Sequence, residues 1–320
     1  MLRLFAVLVA ISTAILIFAG GLVTSTGSGL SVPDWPNTYG WFMWTFPLSK
    51  MVGGIFYEHA HRLIASTVGL LILILAVWLA RAEPRRWVRR LGYVALAAVI
   101  TQGVLGGITV LWYLPDAISI AHASLAQIVF CLTATIALAT SPAWKRGYDA
   151  PVPDDRVLQR LAMVTTGVIY LQILIGATMR HTGAGLAIPD FPLAFGRLLP
   201  PVWDAKIAIH FAHRVGALIV TSLILATTGH VLFHHRRASQ LRRPAVALAI
   251  LVSLQVTLGA ATVLSGRQFI INSLHVVTGA LVLVTSLVLT LRAHRGRFAL
   301  AANVAVRPAV SDLSYREASA

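Results

Sequence analysis

The sequence predicts an all-α integral membrane protein: eight transmembrane helices arranged as two tandem four-helix bundles, related by a pseudo-two-fold axis along the membrane normal. Three observations predict it. The 320 residues are 57% hydrophobic and only 12% charged, about half the charged fraction of an ordinary soluble domain, and the mean hydropathy is +0.78. The apolar residues fall in blocks of about 20, the length that crosses a bilayer core. The third observation is that one pattern is written twice along the chain.

The blocks give spans at about 4–24, 57–80, 91–112, 117–140, 158–179, 207–232, 244–264 and 270–291. The first could pass for a signal peptide, but its apolar run is long for that role and the repeat supplies a counterpart. Charge then orients the spans. The even-numbered connections hold Arg81, Arg85, Arg86, Arg89 and Arg90, then Lys145, Arg146, Arg156 and Arg160, then Arg236, Arg237, Arg242 and Arg243. The odd ones hold only Lys50, Asp116, Arg180, Arg197, Lys206 and Arg267 with a few acids. By the positive-inside rule this predicts a multi-pass protein of the cell (cytoplasmic) membrane with both termini cytoplasmic. The net charge of +15 is thus a topology signal. It points to anionic lipid as a partner and away from nucleic acid. The single cysteine, Cys131, lies inside span four and reads as a small buried apolar residue.

The repeat pairs Thr26-Gly27-Ser28-Gly29-Leu30-Ser31-Val32-Pro33-Asp34-Trp35-Pro36 with Thr182-Gly183-Ala184-Gly185-Leu186-Ala187-Ile188-Pro189-Asp190-Phe191-Pro192. It also pairs Gln102 to Val110 with Gln255 to Val263, His61-Arg62 with His213-Arg214, and His122 with His275. Spans one to four therefore correspond to five to eight. Four is even, so both copies run in the same direction across the membrane. The expected divisions are an N-terminal bundle over 1–140, a Pro-, Gly- and charge-rich linker over 141–157, a C-terminal bundle over 158–292 and a polar, poorly ordered tail over 293–320. Gly103, Gly106 and Gly107, and then Gly259, Ala260 and Ala261, allow close helix approach. The long outer loops, 25–56 and 180–206, read as structured caps.

Four histidines are duplicated by the repeat: His61, His122, His213 and His275. At 1.5 Å per residue all four fall roughly 6–12 Å below the outer surface. Each half thus offers two imidazoles at one depth, on its second and fourth spans. Facing imidazoles inside an apolar bundle suit bis-His ligation of haem iron. Zinc fits worse there, with no local thiolates to complete its shell. Arg62 and Arg214 follow the first histidine of each pair and could fork onto a haem propionate or snorkel to headgroups. His210 shares a helix face with His213 and could serve as a substitute ligand, a propionate partner or a packing residue. Glu58 shares a face with His61 in the same way, and its second-half counterpart is His210. One site therefore has a carboxylate beside its expected ligand, suited to moving protons, and the other does not. An ion pair with Arg62 is the competing reading of Glu58. His59 points off that face and receives no role. Gln102, Gln172 and Gln255 are read as interhelical hydrogen-bonding residues, and His181 as a loop residue with or without a propionate. His230, His234, His235 and His294 are read as headgroup or helix-terminus residues.

Eight spans in two repeats, Glu58-x-x-His61-Arg62, an early histidine in span four and the Thr-Gly-x-Gly-Leu…Pro-Asp-Trp-Pro loop resemble the haem A synthases over about 1–292. The resemblance implies an enzyme that oxidises one ring methyl of haem O to a formyl group by successive hydroxylations, the gem-diol losing water. The product, haem A, serves aa3-type cytochrome c oxidases. It implies haem b as cofactor on His213 and His275. It implies substrate haem O on His61 and His122, and Glu58 as the functional carboxylate. Implied partners are a haem O synthase (a prenyltransferase), cytochrome c oxidase assembly factors and an electron donor that the sequence leaves unknown. The oligomeric state, a homo-oligomer included, is left open. Some members carry a cysteine pair in an outer loop. This chain has none, so a mechanism needing such a pair does not apply. The rival readings are a non-enzymatic di-haem b electron-transfer protein and a haem carrier.

Overall fold

A computed structural model of the protein describes residues 1–146 and 154–295. It is built of nine α-helices among the described residues: α1 Leu2–Ser25, α2 Gly54–Ala82, α3 Arg86–Leu111, α4 Asp116–Ala139, the short α5 Pro142–Arg146, α6 Arg156–His181, α7 Ala205–His234, α8 Ser239–Leu264 and α9 Phe269–Ala293. All but α5 are long and apolar enough to cross a membrane. No β-strand occurs among the described residues, only two isolated bridges in the long loops. The eight spanning helices sit where the apolar blocks predict, but several run further into charged sequence. The helix α3 starts at Arg86 and α8 at Ser239, because backbone bonding continues past the point where hydropathy falls. In α8 this places Pro244 inside the helix. Proline has no N–H to give the carbonyl four residues back. That carbonyl, of Gln240, instead accepts a 2.7 Å bond from the Arg292 guanidinium of α9.

Apolar side chains point both ways, as a lipid-embedded bundle requires. On α1, Leu4, Leu8, Ile11 and Ile15 form one exposed stripe, while Ala6, Val9 and Ile17 are buried. Packing neighbours close two rings. The first runs α1–α2–α3–α4 and back to α1, and the second α6–α7–α8–α9 and back to α6. Each ring has its own apolar core, around Ile72, Leu75, Leu79 and Ile136 in the first and Leu158, Ile224, Leu248 and Leu289 in the second. A smaller cluster of Ile17, Phe130 and Ala280 joins them, where α1 meets α9 and α4 meets α6 and α9.

The expected linker is partly helical: α5 lies within it, and residues 147–153 fall outside the described residues. Of the expected tail, residues 293–295 are described. Helix α9 runs through Ala293, and Arg295 donates a 2.6 Å bond to the Trp144 carbonyl while its guanidinium lies 4.8 Å over the Trp144 ring. The remainder of that tail, 296–320, lies outside the described residues.

Candidate functional site

The loops joining α1 to α2 and α6 to α7 share one construction. Asp34 accepts the amides of Tyr39 and Gly40 at 2.8 Å, and Asp190 those of Phe195 and Gly196 at 2.8 Å. In Asp34, burial works to raise the carboxyl, but the Gly40 and Tyr39 amides outweigh it and hold the group below its ordinary range. These turns need residues at positive φ, supplied by Tyr39 and Gly40 and by Phe195 and Gly196. The likeness of the two halves therefore extends past Pro36 and Pro192 to Trp41 and Arg197.

The two arginines expected near a propionate hold these loops. Arg62 donates to the carbonyls of Val32 (2.7 Å), Asp34 (2.6 Å) and Asn37 (2.9 Å), and to Glu58 Oε1 (2.6 Å). Arg214 donates to the matching carbonyls of Ile188 (3.2 Å), Asp190 (2.6 Å) and Leu193 (2.8 Å). Glu58 is buried, and its other oxygen, Oε2, accepts the Val32 amide at 2.8 Å. In the second half His210 Nδ1 takes that place and accepts the Ile188 amide at 3.2 Å. His59, expected to be idle, is 1% exposed, with Nδ1 3.0 Å from Thr38 Oγ1 and its ring 4.9 Å from Phe46. A signal for this contact is present in the repeat, where the polar pair Thr38 and His59 becomes the apolar pair Ala194 and Phe211.

Beneath the loops stand the four duplicated histidines, each half-buried and each backed by a glycine of the preceding helix. A Cβ built on Gly20 would lie 3.1 Å from His61 Cε1, on Gly106 3.3 Å from His122 Cε1, on Gly176 2.9 Å from His213 Cε1, and on Gly259 3.0 Å from His275 Cε1. Carbon atoms normally approach to about 3.5–4.0 Å, so any larger residue would displace the ring. In all four, Nε2 is the nitrogen farther from the glycine. The rings are thus set alike, each with Cε1 against its backing glycine.

Helices α7 and α9 stand at opposite corners of their ring, and His213 and His275 meet across it with centroids 6.4 Å apart and planes at 74°. Metal–imidazole bonds run about 2 Å, so two imidazoles on opposite sides of one iron hold their centroids about 6 Å apart. The pair fits a bis-His haem. His275 Nδ1 lies 3.1 Å from the Gln255 carbonyl. A hydrogen on Nδ1 satisfies that carbonyl and makes Nε2 the lone-pair atom, which faces the Gln255 amide nitrogen at 3.4 Å and would exchange that long contact for a metal. Gln172 Nε2 lies 2.7 Å from the His213 carbonyl and 3.0 Å from His213 Nδ1. In the first half Gln102 binds the His122 carbonyl at 3.0 Å, but the residue matching Gln172 is Leu16. His61 Nδ1 and His122 Nδ1 are buried with no hydrogen-bond partner among the described residues.

Two features escape sequence reasoning. Arg180, expected in a loop, lies in the last turn of α6 and donates across to α1, at 2.7 Å to the Gly21 carbonyl and 2.9 Å to Ser25 Oγ. At the far, arginine-rich end, His230 and His235 both reach Asp155. His294, by contrast, keeps the expected helix-terminus role, with Nδ1 2.9 Å from the Thr290 carbonyl.

Residues 42–288 match the family described as "Cytochrome oxidase assembly protein" (COX15-CtaA). Among curated relatives, the "Heme A synthase" of Symbiobacterium thermophilum is 30% identical over 276 residues, spanning 82% of this chain and 87% of that one. That of Halalkalibacterium halodurans is 28% identical over 280 residues, 86% of this chain and 91% of the relative. That of Geobacillus kaustophilus is 27% identical over 277 residues, 86% of each.

Proposed function

The chain belongs to the COX15-CtaA family of cytochrome oxidase assembly proteins, and from that premise we propose that it is a haem A synthase. It oxidises a ring methyl of haem O to a formyl group by successive hydroxylations. The observation that carries the reading is the pair of glycine-backed histidine sites, alike in ring setting and unlike in one carboxylate. We assign the second half to a resident haem b on His213 and His275, and the first half to substrate haem O on His61 and His122. Haem b, when bound, supplies one-electron transfer.

The chain's own residues do the rest. The Gln255 carbonyl orients His275, and the Gln172 amide holds His213. Arg62 and Arg214, expected at propionates, act as positioning residues that seat the caps, with His210 helping in the second half. Glu58 lies about one helical turn from His61 and is the carboxylate we assign to proton handling. Its Oε1 receives a proton in exchange for the Arg62 hydrogen bond, while Oε2 keeps the Val32 amide. A bundle set in lipid keeps water from the reacting methyl.

We further infer a pseudo-two-fold axis along the membrane normal between α4 and α9. Exchanging α1–α4 with α6–α9 carries the α1–α9 packing onto α6–α4, which supports it. The arginine-rich connections support a cell-membrane setting with both termini cytoplasmic and anionic lipid at that face. Haem O comes from a prenyltransferase, and haem A passes to oxidase assembly.

Expression with a haem O synthase, followed by pigment extraction, tests the reading. Haem A or hydroxylated haem O is expected. Normal bound haem B with neither product would overturn it in favour of a di-haem cytochrome or carrier.

A further inference from the structure

At the arginine-rich end of the second half, three donor atoms from three places in the chain converge. Asp155 caps the start of α6, with Oδ1 accepting the Leu158 amide at 2.9 Å. His230 lies in the last turns of α7, and His235 is the residue where that helix stops. Both imidazoles bring Nε2 to 2.7 Å from one atom, Asp155 Oδ2. The three ligand-capable atoms all lie within 4.8 Å of one another. The cap bond fixes the carboxylate plane, and the side chain of His235 is only 7% exposed. His230 is braced by His234, with rings stacked at 4.4 Å. From His213 to His230 the path along α7 is about 25 Å, so this cluster is separate from the haem-ligand pair.

We propose that Asp155, His230 and His235 form a binding site for a divalent transition ion of the zinc type. The donor set selects the ion class. Two imidazole nitrogens and one carboxylate oxygen suit zinc and its neighbours, whereas magnesium and calcium prefer oxygen throughout. Tetrahedral zinc with bonds of about 2 Å sets its ligand atoms roughly 3.3 Å apart. Opening the two 2.7 Å contacts by about half an ångström reaches that spacing for the Asp155 pairs, and the two imidazole nitrogens, within 4.8 Å of each other, must settle at the same distance. Each imidazole must then carry its hydrogen on Nδ1, leaving Nε2 to bind. Three protein ligands leave a fourth position for water or an outside donor.

The first half has no copy of this site. The residues matching His230 and His235 are Trp78 and Glu83, and Glu83 instead pairs with Arg85 at 2.6 Å and Lys145 at 3.6 Å. The ion would clip the start of α6 to the end of α7, beneath the half that we assign to haem b.

The test is zinc titration of purified, chelator-treated protein with its haem b in place, read by calorimetry and by metal analysis after dialysis. A His61→Ala/His122→Ala background removes the first-half imidazoles as competing ligands. One zinc per chain is expected. Asp155→Asn keeps a helix-capping oxygen but loses the charge, and should weaken zinc binding at least tenfold with the haem b spectrum unchanged. His235→Ala should do the same; if it loses haem through misfolding, Asp155→Asn decides alone. No stoichiometric zinc, or equal affinity in Asp155→Asn, would overturn the site and leave a hydrogen-bonded clamp. Neither outcome touches haem A formation, which the pigment experiment reads separately.

Discussion

At one position in each half, a side chain from the second helix of the ring accepts the amide of a loop residue just before the Pro-Asp turn. In the first half it is the Glu58 carboxylate on Val32, and in the second the His210 imidazole on Ile188. Beside them Arg62 and Arg214 bind three matching carbonyls each. The difference separates scaffold from chemistry. Seating the loop needs an acceptor and an arginine, and the second half does this with no carboxylate touching Arg214's side of the clamp among the described contacts. A buried ion pair is weak evidence for stability, because desolvation offsets much of its Coulomb gain. Glu58 therefore exceeds what the loop requires, and its surplus is a charge that can take a proton.

The strongest way to break this comparison is to remove the ligands themselves. His213→Ala or His275→Ala should abolish stable haem b, from about one per chain to near none, since His210, the substitute that the sequence offers, is engaged by the Ile188 amide. His61→Ala should leave that haem b spectrum largely intact and stop product formation. Haem stoichiometry by pyridine haemochrome, beside pigment analysis, reads both. Equal loss of haem b from mutants of either half would mean two equivalent haem sites, the di-haem cytochrome reading.

The next test moves the second half's solution into the first. Glu58→His places an imidazole where His210 shows that one can accept the loop amide, so the protein should fold and keep haem b. Product formation should fall by about 100-fold or more, the usual scale for losing a positioned proton-transfer group. If turnover survives this change, Glu58 only seats the loop and the functional difference between the halves lies elsewhere.

How far these assignments could be read beforehand differs by residue. The spanning helices are legible because a bilayer demands uninterrupted apolar length, and their ends are not, because α3 continues through Arg86, Arg89 and Arg90. The four histidines are legible through duplication. Arg62 and Arg214 mislead: their charge and place suit a propionate, and only the folded loop brings three carbonyls to each. The glycines backing the rings are half legible. Gly106 and Gly259 stand out as small residues in the repeat, but that each faces an imidazole depends on helix rotation, which spacing alone does not determine. Asp155 with His230 and His235 is silent in the sequence, being distant along the chain and present once.

The smallest of the expected effects concerns Gln172 and its counterpart Leu16. Gln172 Nε2 anchors the His213 carbonyl and meets its Nδ1, while Gln172 Oε1 is buried without a hydrogen-bond partner among the described residues. An iron ligand bound through Nε2 carries its hydrogen on Nδ1 and needs an acceptor there, and Oε1 of the same amide can turn to provide it in exchange for the bond to the His213 carbonyl. The first half, with Leu16, offers His61 no such hold, which suits a haem that must enter and leave. Gln172→Leu should therefore make the second site resemble the first, with haem b lost about tenfold faster, the lower end for removing a ligand's supporting hydrogen bond. Gln172→Glu, a stronger acceptor, should make His213 more basic and lower the haem b midpoint potential. The two are separated by haem-transfer kinetics to apomyoglobin and by redox titration. If Gln172→Leu releases haem no faster than the unaltered protein, the permanence of the second site does not come from this amide, and the contrast between the halves narrows to Glu58.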